Sequence, residues 1–170
     1  FKQDQASSKR RNMFNTGRAI SSETIRKILI IQFRPFGDVL LATSYLEALQ
    51  KQFPDAAIDF LVKKPYDHIL YKNPWVSRTI ALEQQAGVRY IINRFKLFAD
   101  IRNQCYDLII DQQSGTGSGQ VVFFSNARFR LGWVNGKWNR AYNLKAKKRT
   151  GAVPIFSKFR HAGTTRYQRK

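Results

Sequence analysis

The chain of 170 residues has the length of one ordinary domain, and its 43% apolar residues are enough to form a buried core. Thirty Lys and Arg residues outnumber 11 Asp and Glu residues, and the net charge of +19 points to anionic partners. A single cysteine excludes an internal disulfide framework, and two histidines argue against a catalytic metal centre. No apolar run approaches the roughly 18 residues of a membrane span, and no secretory signal is visible, so a cytoplasmic location is expected.

The positive charge is concentrated at the two ends of the chain. Residues 1–27 hold seven basic and two acidic residues, whereas residues 126–170 hold 13 basic residues and no acidic one. The segment between them is nearly balanced. Such asymmetry is typical of proteins that bind nucleic acid, anionic lipid or phosphorylated ligands, and a solvated basic surface is the alternative.

The first half of the chain alternates between strand and helix patterns. Residues 1–26 are polar and basic and predict a flexible extension. Residues 27–33, KILIIQF, have the continuous apolar pattern of a buried parallel strand. After the break at 34–38, one helix is expected up to Phe53, and residues 58–62 and 78–82 predict two further strands.

The second half continues the alternation. A long helix is expected over 86–105, followed by a strand at 106–111, a polar Gly-rich loop at 112–119, a short helix at 120–125 and a strand at 129–133. On the long helix the basic residues, Arg94 among them, are expected to face outward. The apolar stripe toward the core is formed by Val88, Ile91, Ile92, Phe95, Phe98 and Ile101.

This alternation predicts an α/β domain: a Rossmann-like, mostly parallel sheet with helices on both faces. Ligands of such sheets bind at the carboxyl ends of the strands. Two segments therefore stand out as candidate sites, the loop 34–38 after the first strand and the segment 111–119 after the fourth.

The loop 34–38 ends in a carboxylate at the start of a helix, where the helix dipole favours negative charge. Asp38 has two interpretations: a general base for a hydroxyl held at the sheet edge, or a simple helix cap, which residue type alone favours. Arg34 is either a ligand for a phosphate or carboxylate or a solvated surface arginine.

The loop 114–119, SGTGSG, fails two nucleotide-binding motifs. The dinucleotide fingerprint requires a third glycine where Gln120 stands, and no Gly-Lys-Ser/Thr follows for a Walker loop. The loop either offers backbone N–H groups to an anion or sugar, or is a plain flexible loop. The aromatic and basic stretch 128–142 either stacks on bases or sugars or, through Trp133 and Trp138, packs into the core.

Residues 26–62, RKILIIQFRPFGDVLLATSYLEALQKQFPDAAIDFLV, closely resemble the start of the ADP-heptose–lipopolysaccharide heptosyltransferases, glycosyltransferase family 9. In that family a hydrophobic strand leads to a Gly-Asp pair, an apolar helix, the residues FPDA and a second strand. Further on, YDLIIDQQSGTGSG and ARFRLGW resemble later segments of the same family.

The resemblance implies the N-terminal half of a glycosyltransferase B fold, in which this domain receives the acceptor. It implies an inverting, metal-independent transfer of heptose from ADP-heptose to the lipopolysaccharide inner core, with no cofactor. Asp38 corresponds to the family's catalytic base. The acceptor-binding candidates are Arg34, Gly37, Gln112, Ser114 and Gly115.

The resemblance also implies a domain organisation. Residues 1–26 are expected to be an extension, 27–157 the acceptor-binding domain, and 158–170 the start of a crossover to a nucleotide-sugar domain that this sequence lacks. The chain alone is therefore expected to be inactive. A peripheral position on the anionic inner membrane, at its cytoplasmic side, is expected, and the alternative function is a basic α/β nucleic-acid-binding module.

Overall fold

The computed structural model describes residues 24–83, 86–133 and 138–146, and the expectations for 1–23 and 147–170 lie outside the described residues. Six strands form one fully parallel sheet in the order β3-β2-β1-β4-β5-β6. The strands are β1 Lys27–Gln32, β2 Ala57–Lys63, β3 Arg78–Leu82, β4 Leu108–Asp111, β5 Phe129–Trp133 and β6 Leu144–Ala146. The first five match the predicted strands within one or two residues, and β6 was not predicted.

Four helices connect these strands. They are α1 Phe36–Thr43, α2 Leu46–Gln52, α3 Val88–Asn103 and α4 Thr116–Phe124, together with short 3₁₀ turns at Tyr66–Leu70 and Asn139–Ala141. None of the helices in the described ranges is long and apolar enough to cross a bilayer.

The sheet has a separate apolar core on each face, as the predicted α/β class requires. On one face, Ile28, Ile30 and Phe60 pack with side chains of α1, α2 and the first 3₁₀ turn. On the other face, Leu29 and Ile109 pack with α3 and α4. Alternate residues of β1 thus enter opposite cores, which explains its unbroken apolar sequence. The predicted Rossmann-like sheet with helices on both faces is confirmed.

The prediction of a single helix up to Phe53 is wrong, because one helix ends at Thr43 and a second begins at Leu46. The Thr43 and Ser44 hydroxyls donate to the carbonyls of Leu40 and Leu41, both at 2.7 Å. The Ser44 amide also bonds to Leu41 rather than one residue further back. These local bonds tighten the turn and compete with helix continuation. The break turns Tyr45 toward the cavity described below.

The predicted inward stripe of α3 is wrong over its first two turns. Leu97 and Ile101 face the sheet and are buried, with Phe98 packed beside them, whereas Phe95 is 67% exposed. Arg94, expected outside, lies between α3 and α4 and donates to the Gly117 carbonyl. Two adjacent apolar stripes run along this helix, and their period alone does not identify the buried one.

The expected loop 112–119 is helical from Thr116 onward. Its glycine at 119 serves close packing, because a Cβ there would lie 2.5 Å from the Cβ of Trp138. The composition of this segment predicts a loop, but Gly119 leaves room for the Trp138 side chain to pack against the helix. The short helix predicted at 120–125 is thus the second half of α4.

Candidate active site

The strand order places a crevice between β1 and β4, where successive connections leave in opposite directions along the sheet. Such a switch point, at the carboxyl ends of the strands, is the usual ligand site of an open α/β sheet. Here a cavity of about 420 Å³ lies between the segments that follow β1 and β4 and the carboxyl ends of β5 and β6. Its lining residues include Arg34, Asp38, Tyr45, Gln112, Gly132 and Trp133.

Asp38 lies in the first turn of α1 and lines the cavity, partly buried. The N-cap position of this helix is Pro35, so Asp38 is the third residue of the helix and not its N-cap residue. The backbone N–H of Asp38 donates to the Pro35 carbonyl at 3.0 Å. The helix therefore fixes the Asp38 backbone at the cavity, where the positive end of its dipole favours a carboxylate.

A hydrogen-bonded row of side chains forms the floor of the cavity. Gln32 donates through Nε2 to Oε1 of Gln112 at 3.0 Å, and its own Oε1 accepts the backbone N–H of Arg34 at 3.2 Å. Gln112 in turn donates to the Tyr45 hydroxyl. Burial raises the pKa of Tyr45 well above its usual value, so its hydroxyl stays neutral. The floor is polar and uncharged.

Asp111 organises the segment after β4 from a buried position. Its Oδ1 accepts the backbone N–H groups of Gln113 and Ser114, both at 2.9 Å, and its Oδ2 accepts the Tyr142 hydroxyl at 2.6 Å. Burial, and then the adjacent Asp111 charge, raises the pKa of Tyr142. The three bonds satisfy a buried carboxylate and hold this turn in one conformation.

The wall formed by β5 is attached to the same turn. The Trp133 backbone N–H donates to the Ser114 hydroxyl at 2.7 Å, and its indole N–H donates to the Gln112 carbonyl at 2.8 Å. The Gly115 N–H donates to the Ser118 hydroxyl at 3.1 Å. The amides of residues 113–115 are thus bonded within the protein, which weakens the expectation that this loop presents them to an anion.

Three of the six predicted site residues meet at the cavity: Asp38, Arg34 and Gln112. Gly37 is exposed on the adjoining turn of α1, whereas Ser114 is buried and Gly115 opens α4. Acceptor binding by these six residues stays a prediction. Sequence reasoning missed Tyr45, because it predicted one continuous helix there. Trp133, for which the sequence left sugar stacking and core packing open, lines the cavity.

The chain is similar in sequence to known heptosyltransferases, although no protein-family model matches it. It is 30% identical over 107 residues to lipooligosaccharide heptosyltransferase 2 of Haemophilus ducreyi, covering 63% of this chain and 30% of that protein. It is 31% identical over 97 residues to lipopolysaccharide heptosyltransferase 3 of Escherichia coli, covering 56% and 28%. The chain thus spans about 30% of the length of these relatives.

Solved structures agree with this similarity. ADP-heptose lipopolysaccharide heptosyltransferase II of E. coli superposes with a TM-score of 0.60 at 25% identity, over 74% of this chain and 35% of that one. A family 9 glycosyltransferase from Veillonella parvula gives 0.65 at 18% identity, over 76% and 37%, and so supports the fold alone.

The chain has the fold of the N-terminal half of a glycosyltransferase B structure. Within that class, the resemblance to the heptosyltransferases of glycosyltransferase family 9 is confirmed, and it lies on the N-terminal portion of those enzymes. The alternative of a nucleic-acid-binding module finds no support in these relatives.

Proposed function

We propose that the chain is the acceptor-binding part of a heptosyltransferase that transfers heptose from ADP-heptose to the lipopolysaccharide inner core. One observation carries the proposal: Asp38 and Arg34 line one cavity at the switch point of a sheet that superposes on heptosyltransferases. The relatives' names supply the sugar and the glycolipid.

Asp38 is the general base of the proposed reaction. Its carboxylate takes the proton of an acceptor hydroxyl while that oxygen bonds to the anomeric carbon of heptose. The bond from this carbon to the ADP oxygen breaks as the new bond forms, so the configuration inverts and ADP leaves with the electron pair. A base within hydrogen-bond reach contributes about 10²–10⁴-fold, and the step requires no metal or cofactor.

Arg34 and the floor of the cavity position the acceptor. A guanidinium binds phosphate or carboxylate in a forked geometry, and these are the groups of an inner-core glycolipid. Neutral Gln112 and Tyr45 suit sugar hydroxyls, because they donate and accept without adding charge. The donor ADP-heptose is expected on a second domain, so the 170-residue chain alone is expected to bind acceptor without transferring heptose.

The decisive test is Asp38→Asn in a protein that carries this chain together with a donor-binding domain. The amide keeps the shape of the side chain but cannot take a proton, so heptose transfer from ADP-heptose should fall at least 100-fold at an unchanged melting temperature. Asp55→Asn is the matched control, because Asp55 is an exposed carboxylate paired with Arg26 outside the cavity. Transfer at the wild-type rate by the Asp38 variant would refute the proposed role.

A further inference from the structure

The outward face of α3 is apolar where a surface helix is normally polar. Val88, Ile91, Ile92 and Phe95 are 48–72% exposed, and their spacing of three, four and seven residues places them on one stripe. The buried residues Leu97 and Ile101 lie on the opposite side of the helix. The stripe therefore points away from the sheet.

The apolar face continues onto α4. Phe123 and Phe124 are 51% and 44% exposed. The ring of Phe98 links the two helices, 6.3 Å from Phe95 and 5.0 Å from Phe124 between ring centroids. We call Val88, Ile91, Ile92, Phe95, Phe123 and Phe124 together the α3 surface. Contiguous exposed apolar surface of this kind marks an interaction site.

The charges around the α3 surface are almost all positive. Arg89, Lys96 and Arg102 are exposed on α3, while α4 carries no charged residue. The one acidic residue of α3, Asp100, lies 3.1 Å from Arg78 in an ion pair. An apolar stripe beside exposed cations is the pattern of a helix that lies in the interface of an anionic bilayer.

The position of the α3 surface relative to the cavity fits the same partner. α3 follows β3, so its first turns lie toward the carboxyl edge of the sheet, where Asp38 and Arg34 line the cavity. The most exposed side chains of the stripe belong to these first turns. These first turns and the cavity thus lie toward the same edge of the sheet, with α3 and α1 on its opposite faces.

We propose that the α3 surface docks on a lipid bilayer with anionic headgroups, its apolar side chains entering the interface and its cations meeting the headgroups. This deepens the proposed function and rests on it, since a transferase for a glycolipid meets its acceptor at a bilayer. The basic chain ends could also attract an anionic bilayer, but by charge alone and without apolar contact. Binding by charge and binding by the α3 surface therefore respond differently to loss of the apolar side chains.

The test is sedimentation of the 170-residue chain with vesicles of phosphatidylcholine, alone or mixed with phosphatidylglycerol. The triple variant Ile91→Gln, Ile92→Gln, Phe95→Gln should lower partitioning into the mixed vesicles about ten-fold or more. At about 0.5 M salt, where charge attraction is screened, the wild type should still pellet in part and the triple variant should not.

The matched control is Tyr71→Gln with Lys72→Gln, which removes an exposed aromatic ring and its adjacent cation outside the α3 surface. This control should pellet with the mixed vesicles as the wild type does. Wild-type pelleting by the triple variant would overturn the proposal. So would a wild-type oligomer that becomes monomeric in the triple variant while vesicle binding stays unchanged, because the surface would then join two copies.

A second readout separates this proposal from the proposed function. Binding of a lipid-free oligosaccharide released from lipopolysaccharide tests the cavity without a bilayer, and the triple variant should leave it unchanged. If the chain binds this oligosaccharide and the triple substitution leaves its vesicle binding unchanged, only the proposal of the docking surface is refuted. If vesicle binding depends on the α3 surface and the oligosaccharide does not bind, the proposed function alone is refuted.

Discussion

Gly132 lines the cavity and packs against Tyr142 and Ser114. A Cβ at this position would stand 2.5 Å from ring carbons of Tyr142 and 2.8 Å from the Ser114 hydroxyl. Gly132→Ala must therefore displace a buried ring or the turn after β4, and we expect a cost of about 1–3 kcal/mol in the free energy of unfolding, measured by urea titration.

The control for this prediction is Gly37→Ala. A Cβ on Gly37 meets nothing within 4 Å, and Gly37 lies in the first turn of α1, so alanine should not lower the free energy of unfolding. Equal urea midpoints for both variants would show that the β5 wall yields freely to an added methyl group.

The contacts of Asp111 mark the limit of sequence reasoning at this scale. The position of Asp38 was predictable because its signal is local: it follows the first strand at the start of a helix, and so lies at the carboxyl edge of the sheet. Asp111 ends a strand in the sequence, but its partner Tyr142 is 31 residues away and its role depends on how β5 and β6 are placed. Composition and spacing do not encode such a contact.

At the scale of elements, α3 gives a direct test of which stripe is buried. Ile101 is fully buried, so Ile101→Ala should cost about 2–5 kcal/mol in the free energy of unfolding. Phe95→Ala removes a larger side chain, but that side chain is 67% exposed, so its cost should stay within about 0.5 kcal/mol.

Thermal or urea unfolding of the two α3 variants measures both costs. The pattern of apolar residues assigned both side chains to the core, and it was right for Ile101, which packs against the sheet with Leu97. A loss for Phe95→Ala as large as that for Ile101→Ala would show that part of the chain outside the described residues covers this face.

The strands were predictable to within one or two residues because continuous β-branched runs leave few alternatives. The helices were less predictable, since hydroxyl-to-carbonyl bonds of Thr43 and Ser44 end α1, and hydrogen bonds between Gly115 and Ser118 cap α4 at an earlier start than predicted. Both effects require atoms to meet in space. The sequence patterns therefore predicted the strands of the sheet more accurately than they predicted the ends of the helices and their buried faces.

For the whole molecule, buried tyrosines predict a loss of stability in alkali. Burial raises the pKa values of Tyr45, Tyr106 and Tyr142, and Asp59 and Asp111 raise two of them further. Unfolded tyrosines release their protons near pH 10, while the folded ones keep them. Above about pH 10 the unfolded state thus binds fewer protons, and stability falls as pH rises.

Each of the three tyrosines adds about 1.4 kcal/mol per pH unit to this slope, or about 4 kcal/mol per unit together. Urea unfolding between about pH 8 and pH 11 measures it. Tyr106→Phe should reduce the slope by about one third, because it removes one of the three buried hydroxyls. A slope insensitive to Tyr106→Phe would contradict the assignment.

The parallel sheet also sets the order in which the cavity forms during synthesis. Gln32 and Gln112, which join across its floor, are 80 residues apart, so at about 5–20 residues per second the ribosome adds the second about 4–16 s after the first. β2 emerges much sooner and pairs with β1 on its other side. The nascent chain therefore carries Asp38 for seconds before the segment that closes the cavity exists, and a chain arrested before β4 has Asp38 but no cavity around it.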